Sequence, residues 1–320
     1  MLGITELTYT AMISFLIVII LGPIFIPMLT KFKFGQTVRD DGPKTHLQKN
    51  GTPTMGGVLI IIAILITGLT RSNISSDMVI GLICVVGFGF VGFVDDFIII
   101  KMKRSLGLKP WQKIVMQVAL ALYVSYYQYS SSPSATQLII PFTDAVINLG
   151  PLYVPIMTFM IVGIVNAVNL TDGLDGLASG VTLIVATFFM IFATSISNTD
   201  VAVLAAATVG ACIGFLGFNA YPAKIFMGDT GSMALGGAVT AFAILTNSML
   251  LFVLVGGIYF AEAISVMLQV TYYKLTKKRI FKMAPIHHHF EQCGWPETKV
   301  VFTFWIVTVV LAWIGIIAVF

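Results

Sequence analysis

Charge is what this sequence is shortest of. Asp, Glu, Lys and Arg make up 10% of its 320 residues, where a soluble domain carries about 25%. Hydrophilic stretches are short as well, none much beyond twenty-odd residues, so no separate soluble domain fits beside the apolar chain. Cysteine is scarce. Cys84, Cys212 and Cys293 are scattered with no CxxC, which leaves no disulfide-like framework. No GxxxxGK[ST] occurs, so a Walker-type phosphate loop is absent. What remains is 58% hydrophobic with a mean hydropathy of +0.96. The expectation is an all-α, polytopic integral membrane protein, with residues 1–320 forming a single domain. The first apolar run, Ala11–Leu29, is long for a cleavable signal and lacks a basic segment before it, and is read as a retained helix.

A spanning helix needs roughly 20 apolar residues. Ten segments qualify: 10–30, 54–70, 78–100, 111–128, 152–169, 176–196, 201–218, 231–247, 249–273 and 300–320. The segment 231–247 is short and Gly-rich. The connections then sort the charges. Lys and Arg number five in 31–53, five in 101–113, one in 219–230 and six in 274–299, which is seventeen of the eighteen basic residues on alternate connections. The other connections hold only Arg71. The positive-inside rule puts the basic side in the cytoplasm, and an even number of spans leaves both termini outside. The Ser/Pro-rich connection 129–151 is expected on the outer membrane surface. No internal repeat of the kind found in inverted-repeat transporters is visible.

Every chemically suggestive group falls on the basic side. Asp95 and Asp96 interrupt an apolar run roughly 6–8 Å inside the end of its helix. A buried carboxylate there costs about 2.5–3.5 kcal/mol. The pair reads as a metal or phosphate site or a general base, or more plainly as an ion-pair partner of Lys101 or Lys103. Asn166-Ala-Val-Asn169-Leu-Thr-Asp172-Gly-Leu-Asp175-Gly closes the fifth span. Its glycines permit close backbone approach to a ligand, and Asp172 and Asp175 share a face if the turn is helical; the plainer reading is a capped helical turn. The Asn169-Leu-Thr sequon is on the wrong side for glycosylation. Asn219 opens a segment that ends in Phe226-Met-Gly-Asp229-Thr-Gly-Ser. There a carboxylate beside free N–H groups suits Mg²⁺ bridged to phosphate, or Asp229 simply caps the helix. His287, His288 and His289 are consecutive. Adjacent helical side chains point about 100° apart, so phosphate contacts or orienting hydrogen bonds suit them better than one metal. Lys49, with His46 before it and Gly51-Thr-Pro-Thr-Met-Gly-Gly57 after it, suits a polyphosphate. Glu262, midway along the ninth span, is expected in a buried interhelical hydrogen bond. Carboxylates with basic groups point to Mg²⁺-assisted chemistry on phosphates, and the adjoining lipid phase implies a lipid substrate.

GTPTMGG (51–57), Asp95-Asp96, NAVNLTDGLDG (166–176), FMGDTGS (226–232) and PIHHHFE (285–291) together resemble the phospho-N-acetylmuramoyl-pentapeptide-transferases. These are a branch of the polyprenyl-phosphate N-acetylhexosamine-1-phosphate transferases. The resemblance spans nearly the whole chain. It implies ten helices, Mg²⁺ as cofactor and a frequent homodimer in the bacterial inner membrane, with the active site facing the cytoplasm. It further implies transfer from UDP-N-acetylmuramoyl-pentapeptide to undecaprenyl phosphate, giving lipid I and UMP for peptidoglycan synthesis, with no nucleic-acid partner. By motif position, Asp229 resembles the metal ligand, and Asp95 the residue that deprotonates or positions the lipid phosphate, with Asp96 supporting it. Asn169, Asp172, Gly173, Leu174 and Asp175 fall where metal-side groups and the uridine bind, and Asn166 and Asn219 are expected to bind substrate. Phe226 falls where the uracil stacks. His287, His288 and His289, with Lys49 and Lys113, fall at phosphate or sugar contacts.

Three other readings compete. A sister transferase using UDP-N-acetylglucosamine shares the aspartates. An intramembrane prenyltransferase would need an Asp at position 99, which is Ile99. An ion-coupled transporter would place its charges at mid-membrane, where only Glu262 lies.

Overall fold

The protein is described by a computed structural model covering residues 3–31, 51–71, 74–102, 107–131, 136–143 and 145–319. Lys49, His46 and Lys103 lie outside the described residues. Twelve α-helices occur among them: α1 (Ile4–Lys31), α2 (Gly57–Arg71), α3 (Ser76–Met102), α4 (Pro110–Ser131), α5 (Tyr153–Thr171), α6 (Leu177–Ser195), α7 (Thr199–Asn219), α8 (Gly228–Leu245), α9 (Met249–Val255), α10 (Gly257–Thr276), α11 (Ile286–Gln292) and α12 (Glu297–Ile317). Six of these are long and apolar enough to cross a membrane, or seven if α9 and α10 count as one bent span. The fold is therefore that of a helical membrane protein.

One expectation is corrected. The segment 249–273 is not one straight helix, because α9 and α10 meet at 80°. The break falls at Gly256-Gly257, a pair with no side chains to brace the helix against kinking. Within the connection 129–151, β1 (Gln137–Ile139) pairs antiparallel with β2 (Val146–Asn148), a short hairpin in an otherwise helical chain. The hairpin is fastened to the bundle by the Ile139 N–H donating to the Asn247 carbonyl at 3.3 Å and the Phe142 N–H to the Ala318 carbonyl at 3.1 Å.

The core is built around α8. Every residue from Thr230 to Leu245 is buried, so this helix has no lipid-facing side. Its Gly- and Ala-rich sequence follows from that position, because small residues let helix backbones approach closely where lipid tails supply no hydrophobic driving force. A Cβ on Gly92 of α3 would sit 2.0 Å from the Asp229 carbonyl oxygen, and one on Gly237 of α8 would sit 2.2 Å from that of Cys84. α3 and α8 thus pack backbone to backbone along their length, while α1 and α6 flank α7.

The polar residues divide between the two ends of the bundle. At one end Glu6 pairs with Arg71, the Tyr127 hydroxyl donates to Asp77 at 2.8 Å and the Ser75 hydroxyl to Asp200 at 2.6 Å. The end of α3, the start of α4, the end of α5 and the start of α8 meet at the other, where the carboxylates collect.

Candidate active site

The close packing of α3 on α8 delivers Asp96 to the first turn of α8. That turn has N–H groups without intrahelical partners. Asp96 accepts from the Asp229 N–H at 3.1 Å, the Thr230 N–H at 2.9 Å and the Thr230 hydroxyl at 2.6 Å. It caps α8 from a neighbouring helix, where a negative charge also complements the helix dipole. Gly228, at φ +72°, leaves the room this requires, since a Cβ there would meet Asp96 at 2.6 Å and the Thr54 hydroxyl at 2.8 Å. Asp95 looks the other way. It accepts from the Leu108 N–H at 2.8 Å, and its carboxyl lies beside that of Asp229. Lys101 sits over the Phe97 ring at 5.9 Å, not against either aspartate.

Asp229 is the centre of the cluster. Lys113, from the first turn of α4, donates to its Oδ2 at 2.5 Å. Asn169, from the last turn of α5, donates to its Oδ1 at 2.9 Å and to the Ser232 hydroxyl at 2.8 Å. Asn166, one turn earlier, turns instead to Gln117 at 2.6 Å. Among the described residues no three His, Cys, Asp or Glu stand arranged to hold a metal ion. The donor chemistry nevertheless fits a hard cation: neighbouring carboxylates of Asp95 and Asp229 supply oxygen ligands of the kind Mg²⁺ prefers, and Lys113 is the cation paired with Asp229.

The segment before α8 is held by the one before α2. Phe226 donates its N–H to the Pro53 carbonyl at 2.8 Å, Gly56 to Phe226 at 2.9 Å and Gly57 to Met227 at 2.9 Å. GTPTMGG therefore acts here through its backbone, as a short ladder that fixes the FMGDTGS turn. Phe226 itself is half-buried.

In the turn after α5, Asp172 is half-buried. Burial, then Asp229, Asp96 and Asp175 around it, push its carboxyl up to about 8. Asp175 and Asn219 are occupied in holding backbone. The Asp175 N–H donates to Glu297 at 2.7 Å, and its carboxylate accepts from the Ala223 N–H at 2.9 Å. Asn219 accepts from the Gly176 N–H and the Ser179 hydroxyl, both at 3.1 Å, and donates to the Ile225 carbonyl at 3.0 Å. Leu174 is buried.

The three histidines begin α11 and face three ways. His287 is wholly buried, with Nδ1 3.0 Å from the Glu262 carboxylate; the approach is off the hydrogen-bonding axis. Its ring also abuts Gly173, where a Cβ would come within 2.1 Å of Nε2. His288 Nδ1 contacts Glu291 at 2.7 Å. His289 accepts from the Lys282 N–H at 3.1 Å. Glu262 thus meets a buried histidine of another helix, but the interhelical hydrogen bond expected for it is not formed, since neither of its carboxylate oxygens has a hydrogen-bond partner.

The sequence motifs leave out Gln117 and Glu297, and give Thr230 and Ser232 no role of their own within FMGDTGS. Gln117 had a visible signal, an amide inside an apolar span four residues from a lysine. Glu297 had none, because only the fold brings α12 to the α5–α6 turn.

Known proteins place this arrangement in a family. Residues 78–247, more than half the chain, match the model described as glycosyl transferase family 4. Residues 49–61 match phospho-N-acetylmuramoyl-pentapeptide-transferase signature 1. A phospho-N-acetylmuramoyl-pentapeptide-transferase of Clostridioides difficile strain 630 is 77% identical over 321 aligned residues, covering 100% of both chains. Proteins of the same name from Alkaliphilus metalliredigens and Alkaliphilus oremlandii are 51% and 53% identical, each covering at least 97% of both chains. With relatives of that name 51–77% identical and aligned over nearly the whole length, the chain belongs to the phospho-N-acetylmuramoyl-pentapeptide-transferase family.

Proposed function

We propose that this protein transfers phospho-N-acetylmuramoyl-pentapeptide from its UDP-linked precursor to undecaprenyl phosphate, releasing UMP and forming lipid I. The observation that carries the proposal is the convergence of Asp95, Lys113, Asn169 and Asp229 from four helices at one end of a membrane bundle, in a chain of this family. An oxygen of the lipid phosphate attacks the β-phosphorus of the nucleotide sugar. A new P–O bond forms, the bridging bond to the α-phosphate breaks, and UMP leaves with that electron pair. Such a transfer depends mainly on in-line placement and charge neutralisation.

Lys113 neutralises charge beside Asp229, and Asn169 holds the Asp229 carboxylate in place. The lipid phosphate is already anionic near pH 7, so Asp95 positions it more than it deprotonates it. Asp96 sustains the site by capping α8. Asp229, with Asp95 beside it, would hold Mg²⁺, which supplies charge neutralisation on the phosphates when bound. Phe226 offers a face for uracil, His288, His289 and Lys49 serve the phosphates and sugar, and the buried His287 supports that side from behind Gly173. Asp172, Gly173, Leu174, Asp175 and Asn219 shape the nucleotide side, and Asn166, turned to Gln117, stands outside it.

Ten membrane crossings with both termini outside, the cytoplasmic orientation of the carboxylate end and a homodimer in the bacterial inner membrane belong to the same proposal. The grouping of basic residues on alternate connections supports the sidedness. The test is UMP release by the purified protein. It should require both added polyprenyl phosphate and Mg²⁺, stop with EDTA, and proceed with the muramoyl precursor but not with UDP-N-acetylglucosamine. Release with UDP-N-acetylglucosamine alone would sink the proposal.

A further inference from the structure

α4 and α5 run antiparallel, and polar side chains join them at three levels. At the site end, Lys113 and Asn169 both reach Asp229, at 2.5 and 2.9 Å. One turn deeper, Gln117 faces Asn166. Asn166 Nδ2 donates to Gln117 Oε1 at 2.6 Å and to the Val162 carbonyl at 2.8 Å, and Gln117 Nε2 points back to Asn166 Oδ1 at 3.5 Å. Deeper again, the Thr158 hydroxyl donates to the Ser125 hydroxyl at 3.3 Å. Gln117 is fully buried in an apolar stretch. A primary amide in such surroundings is costly unless paired, so the pairing tolerates little sliding or rotation of one helix against the other.

We infer that Gln117 is a positioning residue for the transferase reaction: its amide pair with Asn166 fixes the register of α4 on α5, and so holds the Lys113 ammonium and the Asn169 amide on opposite oxygens of Asp229. Gln117 does not touch Asp229, and its pair with Asn166 acts one helical turn from Lys113 on α4 and from Asn169 on α5. A displacement of about 1 Å at a reacting centre costs up to roughly a hundredfold in rate, and a slipped α4 would produce a displacement of that size. The inference rests on the reading of Lys113 and Asp229 as the charged centre of the site.

The experiment measures UMP release by the full-length protein in detergent, normalised to the monodisperse, folded fraction. Gln117→Asn shortens the reach, and Gln117→Leu removes it. Each should lower kcat roughly ten- to hundredfold while KM for both substrates stays within about twofold. The exchanged pair Gln117→Asn with Asn166→Gln restores the combined length and should recover kcat to within about threefold of the parent. Ser125→Ala, in the same interface but far from the site, should leave kcat unchanged. A parental kcat in Gln117→Leu would overturn the inference. So would an exchanged pair as slow as the single variants, because Asn166 would then act on substrate directly. If Gln117→Leu does not fold, Gln117→Asn and the exchanged pair decide. Lys113→Met separates the two levels of argument: full activity there would remove the reading of the site itself, whereas an inactive Lys113→Met beside a fully active Gln117→Asn would remove this inference alone.

Discussion

Glu262 and His287 meet at 3.0 Å, both sealed from solvent, at the place where the bent α10 touches the three-histidine helix. Against the far edge of the same ring lies Gly173. One imidazole therefore joins the kinked segment, α11 and the turn after α5. His287 acts in this structure as a keystone between elements more than as an open ligand.

That placement predicts a contrast between two glycines. Gly173→Ala would drive a methyl to within 2.1 Å of His287 Nε2, displacing the ring and slowing turnover by roughly a hundredfold. Gly163→Ala, inside the preceding helix α5 with nothing within 4 Å, should be silent or stabilise by up to about 1 kcal/mol. Turnover and Tm measured on both variants check the contrast. Equal behaviour would remove the keystone role.

The two adjacent aspartates should fail differently. Asp96→Asn offers an amide N–H toward donors it must accept from, so the variant should lose about 1–3 kcal/mol of stability, seen as a lower Tm. Asp95→Asn should keep its Tm and lose turnover. Near-normal turnover in Asp95→Asn beside an inactive Asp229→Asn would end any role for Asp95 as a base.

Lys113→Met leaves Asp229 without its cation. Turnover should fall roughly 10²- to 10³-fold, as when a preorganised charge partner of a reacting group is removed. Single-turnover UMP release is the measurement, and a drop below tenfold would count against Lys113.

Asp172 gives a pH signature. Its folded value, about 8, lies above the ordinary 3.8, so the folded state binds the extra proton between those limits. The stabilisation from this group is fully present at the acid end of that window and lost as pH rises through about 8. Thermal unfolding of the nucleotide-free protein from pH 5 to 9 should therefore show a decline in Tm that flattens in Asp172→Asn. Parallel curves for the two proteins would refute it.

Much of this molecule was legible from the sequence because membrane solvation writes plainly: each of the ten apolar segments coincides with a helix or with the bent pair. The bend itself was masked, since Gly256-Gly257 interrupts the chain without interrupting its hydropathy. The site was legible as residue types and not as partnerships. Asp95 and Asp96 are indistinguishable as letters, yet the helical rotation between them turns one toward α8 and the other toward Leu108. The glycines of GTPTMGG read as a ligand loop, while their described contacts are backbone to backbone. Asp175 and Asn219 read as ligand groups, and their polar atoms hold N–H and C=O groups of the surrounding turns.

The enclosure of α8 has a consequence for how the protein is made. A helix with no side facing lipid, and not among those apolar enough to cross a membrane alone, gains little by leaving the translocon unaccompanied. Its partner α3 is synthesised well before it, so the nascent bundle presents a waiting groove lined by Gly89 and Gly92. Asp229 then arrives at Asp96 as the helix docks. Insertion of α8 and assembly of the carboxylate cluster become one event, and a ribosome-bound chain stopped before Gly228 would carry a membrane bundle without that cluster.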